Sequence, residues 1–341
     1  MTLHCAFIGF GKSTTRYHLP YVLHRKDRWQ VAHIYRRRAK PEEQAPQYSH
    51  IHFTSDLEEV LNDPLVKLVV VCTHADSHFE YAKKALEAGK NVLVEKPFTP
   101  TLEEAKTLFA LANSKGLTVT PYQNRRFDSC FLTTKKVIES GKLGELVEIE
   151  SHFDNYRPLA ETNPGGPQNG EFYGLGVHTL DQIISLFGRP DHVSYDLRSL
   201  RNKANPDDTF EAQLFYGDMK AIVKTSHLVQ IDYPKFIVHG HKGSFVKYGI
   251  DQQETSLKAN IMPGEPGFGA DDSVGELVYV NEAGEMVREA VPLESGDYGR
   301  VYDTLVNGQP NYVKETDVLT NMEILQRGFE QPSPATITLT R

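Results

Sequence analysis

An apolar run, Leu3 to Ile8, ends in Gly9-Phe10-Gly11-Lys12-Ser13-Thr14, and a helical pattern takes over after Gly11. Strand, glycine turn and helix in that order constrain the chain to a parallel sheet whose first crossover leaves from bare backbone. Side chains at Gly9 and Gly11 would keep a phosphate away from the helix N-terminus, so the two glycines have a mechanical reason to stand there. The usual third glycine is replaced by Thr14. A glycine turn taken alone also reads as an ordinary tight turn, and the surrounding pattern has to decide.

Through residue 122, strand and helix signals alternate, which predicts an α/β fold with a doubly wound parallel sheet. Strands are expected at Leu3 to Ile8, Val31 to Tyr35, Lys67 to Cys72, Asn91 to Glu95 and Leu117 to Thr120. Helices are expected over Asp56 to Asn62, opened by Ser55 and Glu58 at capping-box spacing, and over about Ser77 to Ala88, closed by Gly89. A third opens at the Thr101/Glu104 box and closes at Gly116.

Ligands of such sheets lie beyond the carboxyl ends of the strands, so the residues following each strand are the candidates for a dinucleotide. They are Gly9, Phe10, Gly11, Lys12, Ser13 and Thr14, then Arg36 and Arg37, then Thr73 and His74 with His78, and finally Glu95 and Lys96. The acid that would bond a ribose 2′-hydroxyl is expected about 20 residues past the turn. Arg36 and Arg37 stand there instead. Guanidinium groups take a 2′-phosphate bidentately, which favours NADP over NAD; the plainer alternative is a solvated basic face.

At 341 residues and 39% hydrophobic content the chain can furnish two cores, here expected as domains 1–122 and 123–341. Cys5, Cys72 and Cys130 are an odd set, two of them in apolar strand runs, and suggest neither a disulfide framework nor a metal cluster. A reducing, cytoplasmic setting is expected, since no leader-like segment and no membrane-length apolar run is visible. Through residue 125 there are 17 Lys and Arg against 13 Asp and Glu, and thereafter 20 against 32. That balance argues against nucleic-acid binding. The near histidine pairs, such as His74/His78, complete no ligand set, so no metal is expected.

Val92-Leu93-Val94-Glu95-Lys96-Pro97, preceded by Ala85-Leu86-Glu87-Ala88-Gly89-Lys90 and followed downstream by Gly176-Val177-His178-Thr179-Leu180-Asp181, resembles the Gfo/Idh/MocA family of NAD(P)-dependent oxidoreductases. The likeness covers nearly the whole chain. It implies a Rossmann domain, then a C-terminal α/β domain on a large, mainly antiparallel sheet through which members pair as dimers or larger assemblies. It also implies hydride exchange with a secondary alcohol or ketone of a sugar, cyclitol or related polyol, with catalytic roles on Lys96 and His178. A carbinol that loses a hydride also loses its O–H proton, and a lysine of lowered pKa at a rigid strand end suits that task. The bland readings are an ion-paired surface lysine and a buried, satisfied histidine.

Where family dehydrogenases usually carry an aspartate, four residues before the histidine, this chain has Gly174. Asp181, one helical turn after His178, is the candidate to orient its ring. The missing carboxylate keeps a second reading open, that of a catalytically drifted NADP-binding sensor or structural protein.

After Leu146 the hydrophobic period becomes two, with Val147, Ile149, Ser151 and Phe153 expected on one buried face. Strand signals at 193–200, 209–216, 220–228, 236–239, 244–248, 276–280 and 285–291, joined by short turns, predict mostly antiparallel pairing. The Gly/Pro-rich stretch from Tyr156 to Glu171 precedes His178 and marks Tyr156 as a substrate-side candidate. Arg126, just past the last Rossmann strand, either contacts cofactor or substrate or lies in a hinge. Residues 262–272 read as irregular, Val301 to Gly308 as about a turn short, and a closing helix is expected at about 315–327. The expected partners are a small-molecule substrate and further copies of the chain.

Overall fold

Consecutive buried positions in Cys5–Ile8 and Leu68–Val71 identify strands covered on both faces, as parallel sheets require. A computed structural model describes residues 2–159, 164–306 and 312–339. In chain order its first elements are β1 (Leu3–Ile8), α1 (Leu19–His24), β2 (Trp29–Tyr35), β3 (His52–Thr54), α2 (Leu57–Leu61), β4 (Val66–Val71), α3 (His78–Glu87), β5 (Asn91–Val94), α4 (Leu102–Lys115) and β6 (Val119–Pro121). The strands form one six-stranded sheet in the order β3-β2-β1-β4-β5-β6, with every pair parallel. This is the dinucleotide-binding order, and it reverses between β1 and β4.

Two local details differ from expectation. The three-residue edge strand β3 carries too few apolar positions to announce itself. The cap of α2 is Asp56 rather than Ser55: Thr54 Oγ1 accepts from the Asp56 backbone N–H at 2.9 Å, which turns the chain so that Asp56 Oδ1 receives the Glu58 N–H at 2.9 Å. The box opening α4 forms in both directions between Thr101 and Glu104, and Gly116 ends that helix at φ +64°.

The chain continues with α5 (Ser129–Glu139), β7 (Leu146–His152), α6 (Val177–Phe187), β8 (His192–Arg198), β9 (Thr209–Tyr216), β10 (Met219–Ser226), β11 (Phe236–Gly240), β12 (Gly243–Lys247), α7 (Gln253–Lys258), β13 (Val274–Val280), β14 (Met286–Pro292), α8 (Arg300–Val306), α9 (Glu315–Arg327) and β15 (Ala335–Thr338). Nine strands pair in the order β14-β13-β12-β11-β7-β10-β9-β8-β15. Pairing is antiparallel except for β7 with β10. The core of this unit packs Leu180, Ile183 and Ile184 of α6 with Ile149, Ala212, Leu214, Ala221 and Val223 of the sheet. Ile149 and Ser151 are buried as the alternation predicts, but Val147 is exposed. His152, on the opposite face, is buried because Tyr233 stacks on its ring at 4.7 Å.

Contacts divide the chain into two units. One comprises Met1–Gln123, Glu254–Phe268 and Tyr298–Glu315; the other comprises Asn124–Gln253, Gly269–Asp297 and Thr316–Arg341. The sequence reading assigned both later segments of the first unit to the C-terminal domain. Within the first unit the segment from Tyr298 buries Tyr298, Val301 and Tyr302. Tyr302 O accepts from Trp29 Nε1 at 3.3 Å, and Asp303 takes a bidentate pair from Arg25 at 3.0 and 3.1 Å. The stretch read as a turn short ends in residues 307 and 308, which lie outside the described residues. Among the described residues no helix is long and apolar enough to cross a membrane.

Candidate functional site

The crevice at the carboxyl ends of β1, β4 and β5 is shaped first by backbone. Gly9 adopts φ +110°, and a Cβ there would lie 2.6 Å from the Cys72 carbonyl oxygen at the end of β4. Gly11 is the opposite case: nothing lies within 4 Å of where its Cβ would be, so the backbone faces open space that a side chain would fill. One glycine lets two strands approach, and the other leaves a cradle. A Gly9→Ala variant is expected to lose about 1–3 kcal/mol of stability from the backbone conformation alone, with a further cost from the carbonyl clash, measurable as a lowered denaturation midpoint.

Thr14 in place of a third glycine is accommodated. It is fully buried, its hydroxyl donates to Gly9 O at 2.8 Å, and the helix opens with a wide π turn over Thr14–His18.

Glu95 sits at the centre of the crevice. It is buried. Its Oε1 accepts from the Ser13 hydroxyl and from His18 Nε2 at 3.0 Å, and its Oε2 accepts the Lys96 backbone N–H at 3.0 Å. Burial pushes the carboxyl's pKa up, but the hydrogen bond and charge of His18, with help from Ser13 and Lys96, hold it down at about 2. Glu95 therefore anchors the glycine turn and the Lys96 peptide with both oxygens already engaged. Lys96 itself is partly exposed. His78 is buried too, its ring nitrogens 2.8 Å from Pro97 O and 3.1 Å from Thr73 O. It braces the loops after β4 and β5 from behind, while Thr73 is half-buried and His74 exposed.

The basic stretch after β2 divides its labour. The Arg36 fork is committed to buried Glu43 at 2.8 and 3.0 Å, an ion pair that holds Glu43 below the usual carboxylate range. Lys40 Nζ donates to Phe10 O at 2.5 Å, and the Phe10 ring packs against Tyr48 and Phe53. Arg37 and Lys12 are exposed. Of the two arginines singled out by sequence, Arg36 braces the loop and Arg37 is presented.

In the second unit His178 is buried on the first turn of α6. Both Asp181 oxygens accept from Arg126, each at 2.8 Å. Arg126 also reaches Asp317 at 3.2 Å, so one buried cation serves two carboxylates. Burial opposes the Arg126 charge, and the two carboxylates overcome that and hold it charged; for Asp181 burial prevails and its pKa stays raised despite the arginine. A Cβ on Gly174 would lie 3.2 Å from Glu171 Oε2, so a carboxylate already stands beside this bare position. The helical turn leading to α6 starts at Phe172, whose N–H is held by Asp207 Oδ2 at 2.8 Å. Burial pushes that carboxyl's pKa up to about 7. Tyr156 is exposed and makes a single bridge to Leu228.

His18, Tyr302, Glu43 and Asp317 escaped the sequence reading. His18 lies four residues after Thr14, one turn into the helix, and that spacing was a usable signal. Glu43 lies seven residues past Arg36, at capping-box spacing from Lys40, whereas Tyr302 and Asp317 come from distant segments that carry no local pattern. Among the described residues no group of three or more His, Cys, Asp or Glu is placed to hold a metal ion.

Residues 3–123 match the model described as "Oxidoreductase family, NAD-binding Rossmann fold", and residues 135–338 match "Oxidoreductase family, C-terminal alpha/beta domain". The chain is 82% identical, over the full length of both proteins, to the oxidoreductase YhhX of Escherichia coli K12. A crystal structure of a probable oxidoreductase yhhX superposes with a TM-score of 0.98 over both entire chains, at 82% identity. An oxidoreductase from Bacillus cereus superposes with a TM-score of 0.97 at 48% identity, covering 100% of this chain and 99% of the other. The scyllo-inositol 2-dehydrogenase (NADP(+)) IolW of Bacillus subtilis is 34% identical over 306 residues, 88% of this chain and 84% of IolW.

Proposed function

We propose that this chain, which belongs to the Gfo/Idh/MocA oxidoreductase family, exchanges a hydride between NADP(H) and a secondary alcohol or ketone of a small polyol, a sugar or cyclitol. The observation that carries the reading is the open backbone at Gly11, beside a turn tied through Ser13 to the Glu95-Lys96 strand end. The name of IolW supports both the coenzyme and the substrate class.

The residues fit the coenzyme. Gly9 to Thr14 would hold its pyrophosphate, and Arg37, whose fork is presented while that of Arg36 is committed to Glu43, would take the 2′-phosphate. When bound, the nicotinamide supplies a hydride acceptor or donor. Lys96 and His178 are assigned to hold and move the carbinol proton. Arg126 and Asp181, locked to one another, shape the wall of the substrate domain rather than titrate during the reaction. The nine-stranded sheet is the proposed surface for pairing with further copies of the chain, and the cytoplasm is the proposed compartment.

NADPH fluorescence on titration, followed by absorbance assays with scyllo-inositol, other cyclitols, hexoses and their keto forms, tests the assignment. Arg37→Ala is expected to weaken NADPH binding roughly 10- to 100-fold, the worth of a charged hydrogen bond or two, while leaving NADH within about two-fold. Tight NADPH binding with no turnover across the panel would replace the enzyme by an NADP sensor, the reading that Gly174 favours.

A further inference from the structure

We propose that His18 and Tyr302 are positioning residues of this oxidoreductase, acting through Glu95 on the Lys96 peptide and on the glycine turn. The proposal rests on the assignment of Lys96 to proton handling for one of its two arms and is independent of it for the other.

The geometry is a continuous chain of buried hydrogen bonds. Tyr302 Oη lies 2.6 Å from His18 Nδ1, His18 Nε2 lies 3.0 Å from Glu95 Oε1, and Glu95 Oε2 lies 3.0 Å from the Lys96 backbone nitrogen. His18 and Tyr302 are fully buried and Glu95 nearly so. The ionised carboxylate can only accept, so Nε2 must carry a proton and donate. Burial keeps the Tyr302 hydroxyl protonated, and it pairs with Nδ1. Both ring nitrogens are thereby engaged, and the link from His18 into Glu95 has one sense.

The imidazole is also fixed laterally, with the Tyr122 ring 4.0 Å away and the Phe7 ring edge-on at 5.9 Å. Ser13 meets the same Glu95 oxygen as His18, so the carboxylate cannot rotate toward Lys96 without releasing the turn. Tyr302 is reached only after the chain has left the first unit and returned to it. A polar relay of this kind is not what packing alone selects, because apolar side chains of equal volume stabilise a core at least as well. This relay ends on the two loops that carry the candidate chemistry.

Three variants read the two arms: His18→Leu, His18→Gln, whose amide N–H can still donate to Glu95, and Tyr302→Phe. The first arm uses NADPH as probe. In His18→Leu the buried Glu95 loses its main stabilising partner and takes up a proton at higher pH than in the wild type. NADPH affinity relative to wild type is therefore expected to fall at least about 10-fold between pH 8 and pH 5, and His18→Gln is expected to restore it. The second arm uses kcat for scyllo-inositol with NADP+: Tyr302→Phe is expected to lower kcat about three- to ten-fold at unchanged KM.

Folded His18→Leu and Tyr302→Phe proteins whose NADPH affinity parallels wild type at both pH values, with kcat unaltered, would overturn the proposal. Should His18→Leu not fold, a pH-dependent affinity in His18→Gln or an unchanged Tyr302→Phe enzyme overturns it equally. A Lys96→Met protein with full turnover would remove the Lys96 assignment and the second arm with it, and the NADPH arm would still decide the link from His18 through Glu95 to the turn.

Discussion

Lys96→Met is expected to bind NADPH within about three-fold of wild type and to lose roughly 10²- to 10⁴-fold in kcat, the range that a positioned proton-transfer group contributes. The expectation follows from where the side chain is rooted. Lys96 leaves β5 directly after a carboxylate with both oxygens occupied, its own N–H is one of the bonds to that carboxylate, and a proline follows it. Methionine keeps the length and apolar stem but deletes the titrating group, so the backbone scaffold should survive. A loss shared equally by kcat and kcat/KM marks an interaction made only as the proton moves; a rise in KM alone would mark simple binding and remove Lys96 from the chemistry.

Arg126→Met is expected to destabilise the second unit by about 3–5 kcal/mol at neutral pH, the cost of removing one partner from a buried ion cluster. Asp181 and Asp317 would be left facing each other without their shared cation. The pH dependence has a definite sign. Asp181 already has its folded-state pKa raised by burial, and loss of Arg126 raises it further. A raised carboxylate favours the folded state below its unfolded pKa and loses that contribution as pH rises through the folded value, because the native state then holds more protons than the unfolded one. The deficit of the variant should therefore shrink on acidification toward pH 4 and be largest at neutral pH and above. Denaturant midpoints for both proteins at pH 4 and pH 7 measure this; an equal deficit at the two would show that lost packing, not stranded charge, sets the cost.

The first sheet was legible because its information is local. Five apolar runs, each stopped by a turn signal, gave five of six strands to within about two residues, and the Thr101/Glu104 box gave a helix start to the residue. The family resemblance carried the second domain's architecture, while period-two alternation located most of its strands. Ser55 was misread as a cap because capping-box spacing says nothing about which hydroxyl the preceding turn consumes, and here Thr54 consumes the Asp56 amide. The candidate site divided along the same line. Gly9, Glu95 and Lys96 announce themselves through neighbours in sequence. The pairing of Arg36 with Glu43 does not, nor does that of Asp181 with Arg126. In both residues the decisive partner is an opposite charge whose reach depends on packing, and no spacing rule encodes it.

The way the first unit is assembled also bears on how this protein is made. Trp29, Tyr21 and Arg25 belong to its opening stretch, yet the tyrosines and the aspartate that cover and pair them are Tyr298, Tyr302 and Asp303. A ribosome has to deliver nearly the entire polypeptide before that seam can close. A fragment ending at Gln123 would keep all six strands of its sheet and still present an open flank, so the nucleotide-binding half is not a module to be cut out and carried elsewhere.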